Sequence, residues 1–465
     1  MGQRPSEFPV DRPTDAAPRV RQTFLVLICI VAALGGLLFG FDTAVVSGAV
    51  GLFRDEFHLS AAMTGWATGS AIVGCMIGAA VAGPVTDAFG RRRVLLLSGA
   101  FFAASAIGCG LAGNVDHLVW ARIVGGIGIG IASITSPLYI AEVAPAAIRG
   151  RLVTFQQMAI VTGILVAFFS NALIMRTALS DPEKWRWMFA VGAFPALAFI
   201  ALVLLIPESP RWLAEHGRGG AARAILIRIS GPAEAEQEMA RISRAAESDD
   251  GSFSELLRPG LRRALVIATA LAIFSQITGI NAIMYYAPEV FKRAGAGDAA
   301  AFNSAVWVGV VNFLATIVAM NTVDRWGRKP LLLWGATFLA AALFAVGLAF
   351  YTGAGGALVL VAVLGYVAGF AVSFGPVCWV IISEFFPTRT RGRAMSVATV
   401  ALWGACYVVS QTFPILLERA GSAWTFWSYG IIAVVAAVFI AVCVPETKGR
   451  SLEEIERLWR KLAVG

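Results

Sequence analysis

Charge is scarce in this chain. Asp, Glu, Lys and Arg make up 14% of its 465 residues and hydrophobic residues 58%, whereas soluble domains carry about 25% charged residues. A water-soluble globule could not clothe its surface from such a supply, so the composition excludes one and calls for a polytopic membrane protein. Histidine is scarcer still. His58, His117 and His216 are the only three, and all fall between apolar runs, which excludes a histidine relay inside them. The six cysteines (Cys29, Cys75, Cys109, Cys378, Cys406 and Cys443) lie in apolar runs without a CxxC pair, so they read as small core residues rather than disulfide partners or metal ligands. A GxxxxGK[ST] loop is missing, which removes ATP hydrolysis as a driving force. No metal-ligand cluster and no nucleophile-base pair is found, which argues against an enzyme, a resident metal or a cofactor.

What is present is apolar sequence in lengths that match a bilayer. Runs of about 20 apolar residues begin near Thr23, Ala62, Val94, Leu118, Leu152 and Trp187, and again near Leu261, Ala301, Leu331, Ala357, Ala394 and Trp424. The expected fold is therefore an all-α integral membrane protein with twelve transmembrane helices in two six-helix halves. Residues 1–22 form a polar N-terminal arm without fixed structure, 23–206 the first half, 207–260 a linker with short amphipathic helices along the cytoplasmic surface, 261–444 the second half and 445–465 a tail. The first run is too long for a signal-peptide core and is followed by no convincing cleavage site, so it reads as a retained span.

Basic residues set the orientation. Of 37 Lys and Arg, 29 fall in the arm, the even-numbered loops and the tail, seven (Arg54, Arg176, Lys184, Arg186, Lys292, Arg293 and Arg419) fall in the opposite loops, and Arg122 lies inside a span. Both termini are thus expected in the cytoplasm. This topology accounts for the net charge of +8, and no nucleic-acid partner is needed to explain it.

The cytoplasmic loops repeat. GPVTDAFGRR from Gly83 returns as NTVDRWGRK from Asn321, with Asp87 and Asp324 237 residues apart; EVAPAAIRGR from Glu142 returns as EFFPTRTRGR from Glu384; PES at Pro207 returns as PET at Pro445. Three matches at nearly one offset describe a duplicated unit far longer than a solenoid repeat. In membrane chains, paired halves are the architecture of alternating-access transporters. With ATP set aside, such a transporter draws on a gradient.

One acidic residue lies deep within a span. Asp42, in LLFGFDTAVVSG, lies beyond the middle of the first helix, where an ionised carboxylate costs at least ~3 kcal/mol on insertion scales. Arg122, in VWARIVGGIGIG, is the one basic residue at comparable depth, and the two are each other's natural counter-ions. Arginine does not give up its proton, so Asp42 is the member that can switch. A purely structural role, bracing a glycine-interrupted helix against Arg122, stays open at this point.

Polar residues and helix breakers punctuate other spans. The seventh reads FSQITGINAIMYYAPEVF, with Gln276, Asn281 and Tyr285 around Gly279 and Pro288 beyond; glycine and proline loosen a helix where backbone and amides can face a cavity. Gln157, Asn312, Trp379 and Trp403 add to the set. Amides donate to and accept from neutral hydroxyls, and indoles offer a flat apolar face with one donor, a chemistry suited to a sugar or polyol. Each amide taken singly could instead hydrogen-bond a neighbouring helix. The glycines of GGIGIG, Gly125 to Gly130, read as close helix packing rather than a nucleotide loop, since no strand precedes them.

Eight motifs in order, LLFGFD, GPVTDAFGRR, EVAPAAIRGR, PESPRWL, QITGIN, VDRWGRKP, GPVCWVIISEFFPTRTRGR and PETKG, resemble the signatures of the sugar porters of the major facilitator superfamily, most of all the bacterial xylose/proton symporters and more distantly the facilitative glucose transporters. The resemblance spans nearly the whole chain and implies two rocking halves around a central sugar site. By it, Gln157, Gln276, Asn281, Asn312, Trp379 and Trp403 would line the sugar site, flanked by Phe39 and Tyr285, and Asp42 and Arg122 would form the proton-coupling pair. Asp87, Arg91, Glu142, Arg149, Glu208, Asp324, Arg328, Glu384, Arg391 and Glu446 would form a cytoplasmic gate. The sequence departs from that pattern at Ser275, Leu402, Cys406 and Ile164, where relatives carry amides, so the identity of the sugar is not inherited. The expectation is a monomeric proton/sugar symporter of the plasma membrane whose partners are a sugar or polyol, a proton and the bilayer. An uncoupled facilitator is the alternative, and a transporter-like sensor a more distant one, since the stretch after Pro445 and the central insert are both smaller than a usual domain.

Overall fold

The computed structural model describes residues 16–145, 148–246, 253–386 and 388–448. Among these, twelve helical segments are long and apolar enough to cross a membrane. They are Thr23–Glu56, Ala61–Phe89, Arg91–Gly110, Val115–Val143, Leu152–Met175 and Asp181–Val203, then Gly260–Arg293, Asp298–Thr322, Arg328–Thr352, Gly356–Ile382, Thr390–Arg419 and Gly421–Cys443. They are referred to below as the first to twelfth spans. The helix of the first span begins at Ala16, inside the stretch expected to lack structure, because the arginines and alanines there continue a helix as readily as they end one.

The halves repeat one packing scheme. In the first, the first span packs on the fifth, the second on the fourth and the third on the sixth; in the second, the seventh packs on the eleventh, the eighth on the tenth and the ninth on the twelfth. Contacts between halves keep the same symmetry. The second span meets the eleventh, the eighth meets the fifth, and the first meets the outer part of the seventh. Large apolar side chains such as Phe194, Leu205, Trp334 and Val442 remain exposed on the outside of the bundle, as a lipid-facing surface requires. Inside, small residues let backbones approach. A Cβ on Gly126 would lie 1.9 Å from the carbonyl oxygen of Ala71, and one on Gly74 2.1 Å from that of Ile123, so the second and fourth spans touch only because these positions carry no side chain. The glycines expected to serve packing do so.

Three spans are broken. The seventh stops at Ile277, passes through Gly279 at φ 99°, and restarts as Ile280–Arg293 with a further kink at Tyr286 (φ −127°, ψ 18°). Glycine is the residue that adopts this left-handed conformation at no steric cost, and its bare Cα also admits the Tyr429 ring, 3.1 Å from where a Cβ would sit. The tenth span breaks at Ser373 (φ −113°, ψ −85°), just before the Gly375-Pro376 pair, and the sixth at Val191-Gly192. Between the halves, short helices Pro210–Glu215, Gly219–Ser230 and Pro232–Ala246 pack on one another through Trp212, Leu213, Ala222 and Met239. Arg228 stacks over Phe24, 4.3 Å from the ring centre, and ties this group to the first span.

Candidate functional site

The deep acid and base share a pocket without closing on each other. Arg122 is 2% exposed. One Nη donates to the carbonyl of Thr68 at 3.4 Å, the guanidinium carbon stands 5.4 Å from the centre of the Phe189 ring, and its Nε and other Nη have no hydrogen-bond partner among the described residues. Asp42 lies within electrostatic reach. Its Oδ2 is buried and unpartnered, while Oδ1 lies 3.7 Å from the place a Cβ on Gly125 would take, one turn along from Arg122. The direct counter-ion contact expected from the sequence is not made. Burying both charges unpaired is costly, and the arrangement is that of a carboxylate and guanidinium held in readiness rather than locked.

Toward the second half, the amides of the broken seventh span form a network. The Asn281 amide donates to the Gln276 side-chain oxygen and, at 3.1 Å, to the sulfur of Cys406. Gln276 donates to the Ser275 hydroxyl at 3.2 Å, and that hydroxyl donates to the Ala272 carbonyl at 2.7 Å. Tyr285 is hydrogen-bonded to Cys406 as well. The break at Gly279 is what allows this, since it turns Asn281 back beside Gln276 across a gap that a continuous helix would rotate apart. Trp403, one turn from Cys406 on the eleventh span, faces Phe39 of the first span with ring centres 5.7 Å apart. Asn312 is buried and Gln157 and Trp379 half-buried, and no hydrogen bond among the described residues joins these three to the network. Gln156, next to Gln157, is buried with both side-chain polar atoms unpartnered and packs against Gly36 of the first span.

The cytoplasmic charges were expected as one gate. The structure places them in two separate networks, one in each half, built alike. In the first, the Arg91 guanidinium pairs with Glu142 through two bonds of 2.8 Å, and Glu208 accepts from the backbone N–H groups of Arg91 and Arg92. In the second, Arg328 pairs with Glu384 at 3.0 Å, and Glu446 accepts from the N–H groups of Arg328 and Lys329. Gly90 and Gly327, at φ 89° and 91°, make the turn that presents those N–H groups. Asp87 reaches Arg91 at 3.4 Å but is largely exposed; the side chain of its counterpart Asp324 lies outside the described residues. Arg149 and Arg391 do not join the glutamates directly. They donate to the carbonyls of Ala144 and Phe386, and Arg149 also approaches Glu238 of the linker at 3.9 Å. Burial pushes the Glu446 carboxyl up, but the N–H groups of Lys448, Arg328, Lys329 and Thr447 outweigh it and hold the group below the ordinary value of 4.5.

Over residues 28–459 the chain matches the model of the "Sugar (and other) transporter" family. The chain belongs to this family. It is 42% identical to the arabinose-proton symporter of Bacillus subtilis, with 97% of this chain and 99% of the relative aligned, and 42% identical to the D-xylose-proton symporter of Escherichia coli over 94% and 96% of the two chains. A solved structure of the Escherichia coli xylose transporter in an inward-open conformation superposes with a TM-score of 0.84 at 40% identity, covering 94% of this chain and 100% of that one. The protein is therefore a multi-pass membrane transporter of the major facilitator fold, not an enzyme.

Within that family fold, the sequence reading passed over several residues. Ser209 and Thr447 cap the two cytoplasmic networks, donating to Glu142 and Glu384 at 2.6 Å each; the signal was present, since a hydroxyl residue follows the glutamate in both PES and PET. Cys406 was read as a core residue and as a place where relatives carry an amide, yet it anchors two residues of the amide network itself. Arg54 was counted only for topology, although it joins the halves through Glu289.

Proposed function

We propose that the chain is a proton-coupled symporter of a monosaccharide, pentose or hexose, or a related polyol, working as a monomer in the plasma membrane by alternating access. The observation that carries this reading is Asp42, whose buried and unpartnered Oδ2 lies within electrostatic reach of Arg122, itself with two unpartnered nitrogens. The two named relatives, an arabinose-proton and a xylose-proton symporter, support it. In the outward-facing protein Asp42 takes up a proton, which removes its attraction for Arg122 and lets the first and fourth spans part. Sugar hydroxyls then exchange with the Asn281, Gln276 and Cys406 contacts, Trp379 and Trp403 cover the ring's apolar face, and Gln157 and Asn312 complete the set. After the halves rock, proton and sugar leave together to the cytoplasm, while the Arg91 and Arg328 networks hold each half's inner end in register. Residues 23–206 and 261–444 act as the two moving units, and 207–260 as the cytoplasmic link.

The substitutions in the site bear on the substrate. Leu402 and Ile164 offer no hydrogen bond, and the Ser275 hydroxyl is already engaged by Ala272 and Gln276. Each contact so lost weakens binding by about 0.5 to 1.5 kcal/mol, which favours a sugar presenting fewer hydroxyls on that side.

Uptake of a panel of labelled sugars into energised vesicles, with and without external acidification, tests the proposal. Acidification is expected to accelerate accumulation, and Asp42→Asn to abolish accumulation while sparing counterflow exchange. Continued concentration of sugar by that variant would show that Asp42 does not couple.

A further inference from the structure

Opposite the cytoplasmic networks, the two halves are joined by an ion pair with no part in the site described above. Arg54, at the outer end of the first span, donates to Glu289 at 3.1 Å, and among the described residues this is the one ion pair that links the halves. Arg293 approaches the same carboxylate oxygen at 3.5 Å, so Glu289 sits between two guanidinium groups, while Arg54 also holds Asp55 at 2.9 Å. The side chains of Arg54 and Glu289 are 33% and 16% exposed, sheltered enough to escape much of the screening that makes surface pairs weak. Glu289 follows Pro288 on the short outer helix of the seventh span, set free by the breaks at Gly279 and Tyr286. A cavity of about 240 Å³ lies alongside, lined by Arg54, Glu289, Arg293, Glu418, Ser60 and Tyr286.

Three neighbouring contacts cross between the halves at the same level. Arg176 donates to Asn303 at 2.9 Å, Gln411 to the Ala62 carbonyl at 2.8 Å, and Trp66 meets Tyr407 edge-on with ring centres 6.3 Å apart. The inner Arg91 and Arg328 pairs stay within their own halves and survive when the inner end is parted. The Arg54 pair has the opposite property: parting the outer ends must break it.

We propose that Arg54 and Glu289 form an outer lock that sets the balance between inward-facing and outward-facing states. Neither residue touches the Asp42 pocket or the amide network, so weakening the lock changes populations rather than the affinity of either site. The inference rests on alternating access as proposed above, but it is independent of which sugar is carried and of proton coupling.

The test measures the distance between spin labels on Asp116→Cys, exposed in the first turn of the fourth span, and Ala354→Cys, exposed in the loop after the ninth span, in the full-length protein carrying Cys443→Ser, the other five native cysteines being buried. Arg54→Gln and Glu289→Gln are each expected to raise the long-distance, outward-open population by about fivefold. The double variant should do no more than either single, because both remove the same interaction, and Arg54→Lys should keep most of the inward-facing population. Retained sugar counterflow in each variant shows that it is folded. Distance distributions unchanged from the parent, or single effects that add in the double variant, would overturn the proposal.

Discussion

Asp42 and Asn281 occupy equivalent places in the two halves, 239 residues apart and each two residues after a glycine, yet their surroundings are opposite. Asp42 sits half-buried in an unbroken helix, with a buried Oδ2 that has no partner among the described residues. Asn281 follows a left-handed break and holds two partners on other side chains. The glycines differ in the same way. Gly40 is required because a Cβ there would stand 1.9 Å from the carbonyl oxygen of Ile160, so it keeps the first span against the fifth, whereas Gly279 is required for its φ of 99°. One inherited position has thus become a seat for a charge on a continuous helix in the first half and a seat for a neutral amide at a helix break in the second. Nothing in the second half replaces the guanidinium, since Ala362 stands 240 residues beyond Arg122.

The sharpest way to break this contrast is to exchange the chemistry. Asn281→Asp places a carboxylate in the second half with no cation to meet it, at a cost of at least ~3 kcal/mol on insertion scales. Sugar uptake is expected to fall below detection and the amount of protein in the membrane to drop. If the variant instead transports with a pH dependence of its own, the division of labour between the halves is wrong.

A second contrast lies at the cytoplasmic ends. The Arg91–Glu142 side chains are 5% and 4% exposed, the Arg328–Glu384 side chains 13% and 24%. Removing one partner of a well-buried pair costs about 3 kcal/mol, and of a half-open pair about 1 kcal/mol. Glu142→Gln should therefore lower the unfolding temperature in detergent clearly more than Glu384→Gln. Equal shifts would mean that the two networks are energetically as well as geometrically alike.

The smallest effect concerns Glu446. Because its carboxyl is held below 4.5, the stability it contributes is present above that value and is lost as pH falls through the depressed one. Glu446→Gln should be slightly less stable than the parent at neutral pH, and the gap should close on acidification below about 4.5. A gap that widens there would contradict the N–H cradle as its cause.

Much of this architecture was legible in the residues. All twelve spans follow from apolar length, because lipid leaves the backbone no partner but itself. The break at Gly279 was legible too, since glycine and proline mark where a helix can yield. The sixth-span break at Val191-Gly192 was not, because a lone glycine in an apolar run reads as packing. Nor could the motifs say whether Arg91 and Arg328 pair within or across the halves. That depends on how the cytoplasmic ends of the spans come together, which a motif read alone does not record. Arg54 and Glu289 carry no repeated motif, and their meeting depends on a seventh span bent twice before it reaches the first.

Glu208 and Glu446 have a mechanical consequence. Each sits just past the last helix of its half and is fastened by backbone N–H groups at the start of that half's third span. The end of each bundle is thereby stitched to its own middle, like a cord tied back on itself. Tension along the link between the halves cannot peel the sixth span away residue by residue. It is delivered as torque on the whole bundle.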